Sequence, residues 1–306
     1  MEENKDLKVY DYVILHIPHS SVKWPKEFVS EEHSVLLTKE QYRLIDLYTN
    51  SLFASELDRT GNIEPKIFPY CRFFCDVERL INDPLESKGL GITSHESYQL
   101  SDGSIFKIAE NNFSTYTYYQ EFHQKMENHL LDLYLQYPTP NILIIDCHSF
   151  SSLPTELVPT PSDIDICIGF NDDHTKPSDI VIEGIKKYFE DLGYKVGLNT
   201  PFSNSKTFNT IAKYNTIMIE INKRLYMNEL TLKINKNFEK LRDELNQCYK
   251  MIMNYKEAAH SAVRQFAPAR WYEDNPPYIR SLYRFPRRYS DLKHIDDSYE
   301  EDDYEA

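Results

Sequence analysis

The sequence predicts an α/β fold: a single three-layer domain with a mainly parallel, mixed sheet. Two observations carry that expectation. Short runs rich in β-branched, aromatic and aliphatic residues alternate with longer stretches of helical period. Strands that alternate with helices are the pattern of a parallel sheet covered on both faces. At 306 residues and 41% hydrophobic, the chain is long enough to bury one large core.

The strands are expected at Tyr12–Ile17, Lys66–Phe68, Arg72–Val77, Ile142–Cys147, Asp165–Phe170 and Thr216–Ile221. Thr38, followed three residues later by Gln41, reads as a capping box, in which each side chain satisfies the other residue's backbone N–H. A helix should therefore begin there and run toward Gly61, a natural stop. Further helices are expected over about 115–136, from Ser178 to Gly193, and over about 228–260. The core domain is expected to span residues 1–262, with an arginine- and proline-rich extension over 263–290 and an acidic, disordered tail over 291–306.

The net charge of −14 is concentrated at that tail, where Asp291 to Ala306 hold eight acidic residues and one lysine. Such blocks stay solvated. Just before it lie Arg264, Arg270, Arg280, Arg284, Arg287 and Arg288, interleaved with prolines and aromatics. Basic, aromatic stretches can touch nucleic acid, but beside an acidic tail in an acidic protein no nucleic-acid partner is expected. No apolar run approaches the roughly eighteen residues of a membrane span, so no membrane partner is expected either. The polar stretch from Met1 to Tyr12 does not read as a signal peptide, which points to the cytoplasm. Cys71, Cys75, Cys147, Cys167 and Cys248 form an odd set with no Cys-x-x-Cys pair and are expected to be reduced, structural thiols.

In open parallel sheets, chemistry gathers beyond the carboxyl ends of the strands. The first strand runs out into His16 and His19, the fourth ends in Asp146 and His148, and the last carries Glu220 inside an apolar run. Between them Arg72, Asp76, Arg79 and Asp83 crowd one short segment. Histidines and a carboxylate at three strand ends are what a catalytic zinc requires, and a further carboxylate can move protons. Each residue also has a plainer role open to it. A strand-end histidine often serves as a hydrogen-bonded structural group, Asp146 can cap a strand, and Glu220 can pair with an arginine. Spacing alone leaves both readings standing.

Five short motifs add to this. His-x-Pro-His-Ser at His16–Ser20, Asp-Val-x-Arg at Asp76–Arg79, Asp-x-His-Ser at Asp146–Ser149, Asn-x-Pro-Phe at Asn199–Phe202 and Glu-Ile-Asn-x-x-Leu-Tyr-Met at Glu220–Met227 follow in that order. Together they resemble the N-formylglutamate amidohydrolase family, as do Asp46 with Leu52 and the pattern Tyr119–His123. The resemblance implies a phosphorylase/hydrolase-like, zinc-peptidase-like fold and zinc-dependent hydrolysis of a linear amide in a small, carboxylate-bearing N-acyl (N-formyl) amino acid. It implies His19, Asp46 and His148 as zinc ligands, with His16 an alternative to Asp46. Glu220 would be general base and acid, and Arg79 would bind the substrate carboxylate. Arg72, Asn199, Phe202 and Tyr226 would contribute to substrate binding, while His16, Asp146 and His123 would lie behind the ligands. A helical wheel puts Asp46 at the margin of an apolar stripe formed by Ile45, Tyr48 and Leu52.

A more distant likeness to zinc carboxypeptidases places His148, Arg79 and Glu220 in matching roles and makes a peptidase or deacylase on a larger substrate the alternative. A non-catalytic metal-binding or interaction module is the third reading. Three departures bear on the substrate. Glu78 stands where the family usually has Asn, Asn204-Ser205 where it has Gly-Gly, and Ser21 where Gly is common.

Overall fold

The computed structural model describes residues 10–54, 62–81, 91–94, 97–107, 112–136, 141–155 and 162–253. Three parallel strands form its centre. They are β1 (Tyr12–Ile17), β6 (Ile142–Phe150) and β9 (Asn215–Asn222). With β3 (Ile63–Ile67), β7 (Ile166–Gly169) and β8 (Val196–Leu198) they make a six-stranded sheet of order β3-β1-β6-β9-β7-β8. Every neighbouring pair is parallel except β7 with β9, so the sheet is mixed and mostly parallel. All nine residues of β6 are buried, as a central strand covered on both faces demands. A second, three-stranded antiparallel sheet joins β2 (Val35–Leu36), β4 (Ser97–Leu100) and β5 (Ile105–Lys107).

Alternation along the strands sets the layers. Ile14, Ile142 and Ile144 pack against Met126, Leu130 and Leu133 of the long helix α3 (Asn112–Gln136). That leaves the alternate, equally buried Val13, Leu15, Leu143 and Ile145 for the opposite layer. There α2 (Thr49–Phe53) contacts β1, β6 and α5 (Phe238–Met253), and α5 in turn contacts α4 (Asp179–Asp191). The apolar stripe of α5, namely Phe238, Leu241, Leu245, Cys248 and Ile252, is buried as its helical spacing requires. All five cysteines are buried and free.

Several expected elements take another form. The capping box at Thr38 and Gln41 is formed, but α1 is short (Lys39–Leu44). Ile45 is extended, Tyr48 is left-handed at φ 68°, and α2 starts only afterwards. Asp46 therefore sits in a break between two helices, not on a continuous helical face. Arg72–Val77 is a chain of turns, with Phe74 and Cys75 N–H donating to the Cys71 carbonyl. Its apolar residues are buried because the turn is packed in the core, a burial pattern that resembles a strand in sequence. The last helix starts at Phe238, ten residues later than expected, because the hairpin β10 (Met227–Asn228) and β11 (Lys233–Ile234) intervenes. The stop at Gly61, the end of the last helix, the boundary at 262, the extension over 263–290 and the tail over 291–306 lie outside the described residues.

At the end of β7 the loop Asn199–Ser205 comes close to the sheet. A Cβ on Gly169 would stand 2.3 Å from the carbonyl oxygen of Asn204 and 2.5 Å from the Met218 methyl. Asn204 itself has φ 69°, a conformation asparagine tolerates better than other non-glycine residues. Gly169→Ala is therefore expected to destabilise the protein by about 1–3 kcal/mol, the usual cost of overpacking. Urea denaturation of the variant against wild type measures it.

Candidate active site

The sheet's own alternation delivers the polar residues to one place. Across β1 and β6 Ile14 pairs with Ile144 and His16 with Asp146, and across β6 and β9 Ile144 pairs with Thr216, Asp146 with Met218 and His148 with Glu220. Partners in a parallel register share a face, and side chains repeat on that face every second residue. The face that is apolar under α3 thus becomes polar toward the carboxyl edge. His16 marks the transition, with its ring against Phe122 and Phe208 at 5.6 and 5.4 Å.

His19, two residues past β1, and Asp46, in the helix break, join His148 there. One ligand-type atom from each lies within 4.8 Å of the others. The Asp46 N–H donates to the His19 carbonyl at 3.0 Å, which ties the break to the end of β1. His19 Nε2 faces Asp76 Oδ1 at 2.7 Å, and His148 Nε2 faces Asp146 Oδ1 at 3.0 Å. Each carboxylate fixes its ring with Nε2 as the donor. Both Nδ1 atoms then turn toward Asp46 Oδ2, at 3.6 Å from His19 and 3.1 Å from His148. His19 Nδ1 is buried with no hydrogen-bond partner. A histidine whose far nitrogen is held by a carboxylate is the usual arrangement of a metal ligand, and an orphaned, buried lone pair facing a carboxylate and a second imidazole nitrogen fits a cation. His16 donates into the same network, Nδ1 to Asp146 Oδ1 at 2.8 Å. It also forms a second possible ligand group with Glu78 and Asp146.

The electrostatics agree. Burial opposes ionisation of Asp46, yet hydrogen bonds to His148 and His19 hold its pKa below the ordinary value. Asp76 and Asp146 are likewise held well below it, despite burial, by the charges of His19 and Arg72 and of His148 respectively. Burial pulls His148 down, but the charge of Asp146 and hydrogen bonds to Asp146 and Asp46 leave its pKa well above the ordinary value. A site that draws a proton against burial is a site for positive charge.

Asp76 is the hub of the wall beside this cluster. Its Oδ2 accepts from Arg72 Nε and Nη2 at 3.2 and 2.8 Å, its Oδ1 from the Glu78 N–H at 3.0 Å, and Arg79 Nε lies 3.6 Å away. Arg72 also donates Nη1 to the Leu44 carbonyl at 2.7 Å. Its guanidinium therefore braces Asp76 and the end of α1. Arg79 differs: its Nε is buried without a hydrogen-bond partner. His123, stacked on Tyr119 at 4.1 Å, donates Nε2 to the Val77 carbonyl and supports this turn from behind. Burial lowers its pKa to about 4.

A cavity of about 650 Å³ opens over these groups, walled by His19, Asp46, Glu78, Arg79, His148 and Glu220 among others. Glu220 Oε2 is buried and has no hydrogen-bond partner, and burial raises the carboxyl to about 8, against the pull of His148. Phe202 lines the cavity. Asn199 Oδ1 accepts from the Phe170 and Asn204 N–H groups and its Nδ2 donates to the Phe170 carbonyl, which shapes the loop, while Tyr226 is fully buried, donates to the Leu47 carbonyl and shares a hydrogen bond with Ser149 Oγ. Neither Asn199 nor Tyr226 is on the cavity wall.

Two buried lysines carry no signal in the sequence. Lys223 donates Nζ to the carbonyls of Arg43 and Ile45, at the break that presents Asp46. Lys206 donates its N–H to Asp146 Oδ2 and its Nζ to the Glu78 carbonyl, both at 3.0 Å. Nothing in a residue's type or spacing distinguishes such lysines from solvated ones.

Removing one partner of a buried charge pair costs roughly 3–5 kcal/mol, because the other charge stays behind. Asp76→Ala leaves Arg72 and His19 without their carboxylate and is expected to fall in that range. Chemical denaturation reads the loss.

The family profile described as N-formylglutamate amidohydrolase matches residues 12–227. Among solved structures, the chain is similar to an N-formylglutamate amidohydrolase from Ralstonia eutropha JMP134. That match has a TM-score of 0.61 and 19% identity and covers 80% of this chain and 94% of the other, a likeness of fold. The gene product Atu2144 from Agrobacterium tumefaciens aligns at a TM-score of 0.48 and 13% identity, covering 80% and 92%. Comparison with curated proteins gives no match. Among the described residues no helix is long and apolar enough to cross a membrane. With the profile spanning all three central strands and every member of the His19, Asp46 and His148 cluster, the chain belongs to the N-formylglutamate amidohydrolase family.

Proposed function

We propose that this protein hydrolyses the amide bond of a small N-acyl amino acid, with a zinc ion held by His19 Nδ1, Asp46 and His148 Nδ1. The observation that carries the reading is the pair of imidazoles anchored at Nε2 by Asp76 and Asp146, with both Nδ1 atoms turned toward Asp46 Oδ2. Two imidazoles and one carboxylate are a common catalytic zinc set. When bound there, zinc supplies Lewis acidity to a carbonyl and lowers the pKa of water.

The chain's own residues do the rest. Glu220, beside His148 on the neighbouring strand, has a buried oxygen free to take the proton of the attacking water and to return it to the leaving nitrogen. Arg79 holds the substrate's carboxylate; a guanidinium fork suits that through two parallel bonds. The cavity of about 650 Å³ lies in the range of small-molecule sites and favours an N-acyl amino acid over a larger peptide. Five buried free thiols suit a reducing cytoplasm.

Metal analysis of purified protein is expected to give one zinc per chain in wild type and little in His148→Ala. Full zinc content in His148→Ala would remove the assignment. Glu220→Gln should keep the metal and lower turnover by roughly 10²–10⁴-fold, whereas Arg79→Lys should chiefly raise KM for carboxylate-bearing substrates. Loss of zinc in Glu220→Gln would make Glu220 a ligand instead.

A further inference from the structure

Most of the charged wall of the cavity is already paired. Arg72 is held by Asp76 and the Leu44 carbonyl, Arg43 by Glu40, and Lys206 by the Glu78 carbonyl. Asp146 accepts from His16, His148 and the Lys206 N–H. Setting aside Glu220, two charged groups of this wall among the described residues have a buried atom without a hydrogen bond, and they are neighbours in the chain with opposite signs; the contact of Arg79 Nε with Asp76 Oδ2, at 3.6 Å, is an ion pair only. The Arg79 Nε is buried without a hydrogen-bond partner, and so is Glu78 Oε2. The ring nitrogens within 4 Å of Glu78 Oε2, His16 Nδ1 at 3.7 Å and His148 Nε2 at 3.9 Å, already donate to Asp146. Both residues line the cavity.

A buried oxygen without a donor is costly, and a ligand that brings a donor removes that cost. A guanidinium that makes no hydrogen bond to the protein can still hold one carboxylate. A second carboxylate on the same ligand would bring no hydrogen to Glu78 Oε2 and would meet a like charge wherever Glu78 is ionised, a juxtaposition that disfavours binding. Arg79 and Glu78 therefore form a dipolar complement: one carboxylate on one side, one N–H donor on the other.

We propose that Glu78 is a specificity-determining residue, and that the pocket selects N-acyl amino acids with a single carboxylate and a side chain bearing an amide or ammonium donor. This rests on the amide-hydrolysis reading for its choice of compounds, though not for its test.

N-formylglutamine and N-formylglutamate are nearly the same shape and differ in the property at issue. The zinc-loaded wild-type enzyme is expected to show a kcat/KM at least about tenfold higher for the glutamine compound, since like-charge contact in a desolvated site is strongly disfavoured. Glu78→Gln should bring the ratio close to one or reverse it, and Glu78→Asn should do the same if the first variant folds poorly. Calorimetric binding of both compounds to wild type gives a readout that does not need turnover. Stronger binding of the glutamine compound without hydrolysis of either would sink the amidohydrolase reading and leave the pocket assignment standing. Equal binding, preference for the glutamate compound, or no binding of either overturns the assignment. So does a second zinc ion in wild type, beyond the one expected, that Glu78→Gln loses, which would make Glu78 a ligand alongside His16 and Asp146.

Discussion

Three aspartates buried at one edge of a sheet are the constraint from which the rest of this site follows. Asp46, Asp76 and Asp146 are 3%, 3% and 1% exposed. An ionised carboxylate in such a place is tolerated only if it is paired and hydrogen-bonded. Each one is paired, with His148 and His19, with His19 and Arg72, and with His16 and His148 respectively. The partners come from segments far apart in the chain, so satisfying the aspartates also fixes where the end of β1, the helix break and the Asp76–Arg79 turn must lie. Packing of the apolar layers brings these segments near one another. The charge network sets their final positions.

The same network gives the cluster two features that suit a cation. The carboxylates hold a proton on His148 although burial opposes it. The His19 Nδ1 lone pair remains without any donor. A metal ion at this point would answer both features together, replacing the proton and using the lone pair.

The parts of the site on regular strands were legible in the sequence. His16, Asp146, His148 and Glu220 sit at positions where a period of two and a carboxyl-edge rule place polar groups together. The other half depends on irregular backbone, and there local pattern misleads. Ile45, Tyr48 and Leu52 have helical spacing, but the helix is interrupted at Asp46 by an extended Ile45 and a left-handed Tyr48. Cys71 to Val77 have the apolar density of a strand but form consecutive turns, because a buried turn needs apolar side chains as much as a strand does. The order β1-β6-β9, which makes neighbours of His16, Asp146, His148 and Glu220, is a property of topology and is not written in any single segment.

Irregular backbone inside a protein raises a further requirement, since its carbonyls must find donors. Here two lysines from the β9 side of the fold meet it. The break after α1 leaves the carbonyls of Arg43 and Ile45 to Lys223. The turn after Asp76 presents the carbonyl of Glu78 to Lys206, which also caps Asp146 through its N–H. Lys223 is 1% exposed and Lys206 4%, and burial lowers the pKa of Lys223. Each lysine thus brings a positive charge to the acidic centre and holds the backbone of a segment that carries a site acid. Regular secondary structure would satisfy those carbonyls by itself, but it would not aim Asp46 and Glu78 into the same cavity. The buried lysines are what allow the chain to leave regular structure at the two places where the site requires it.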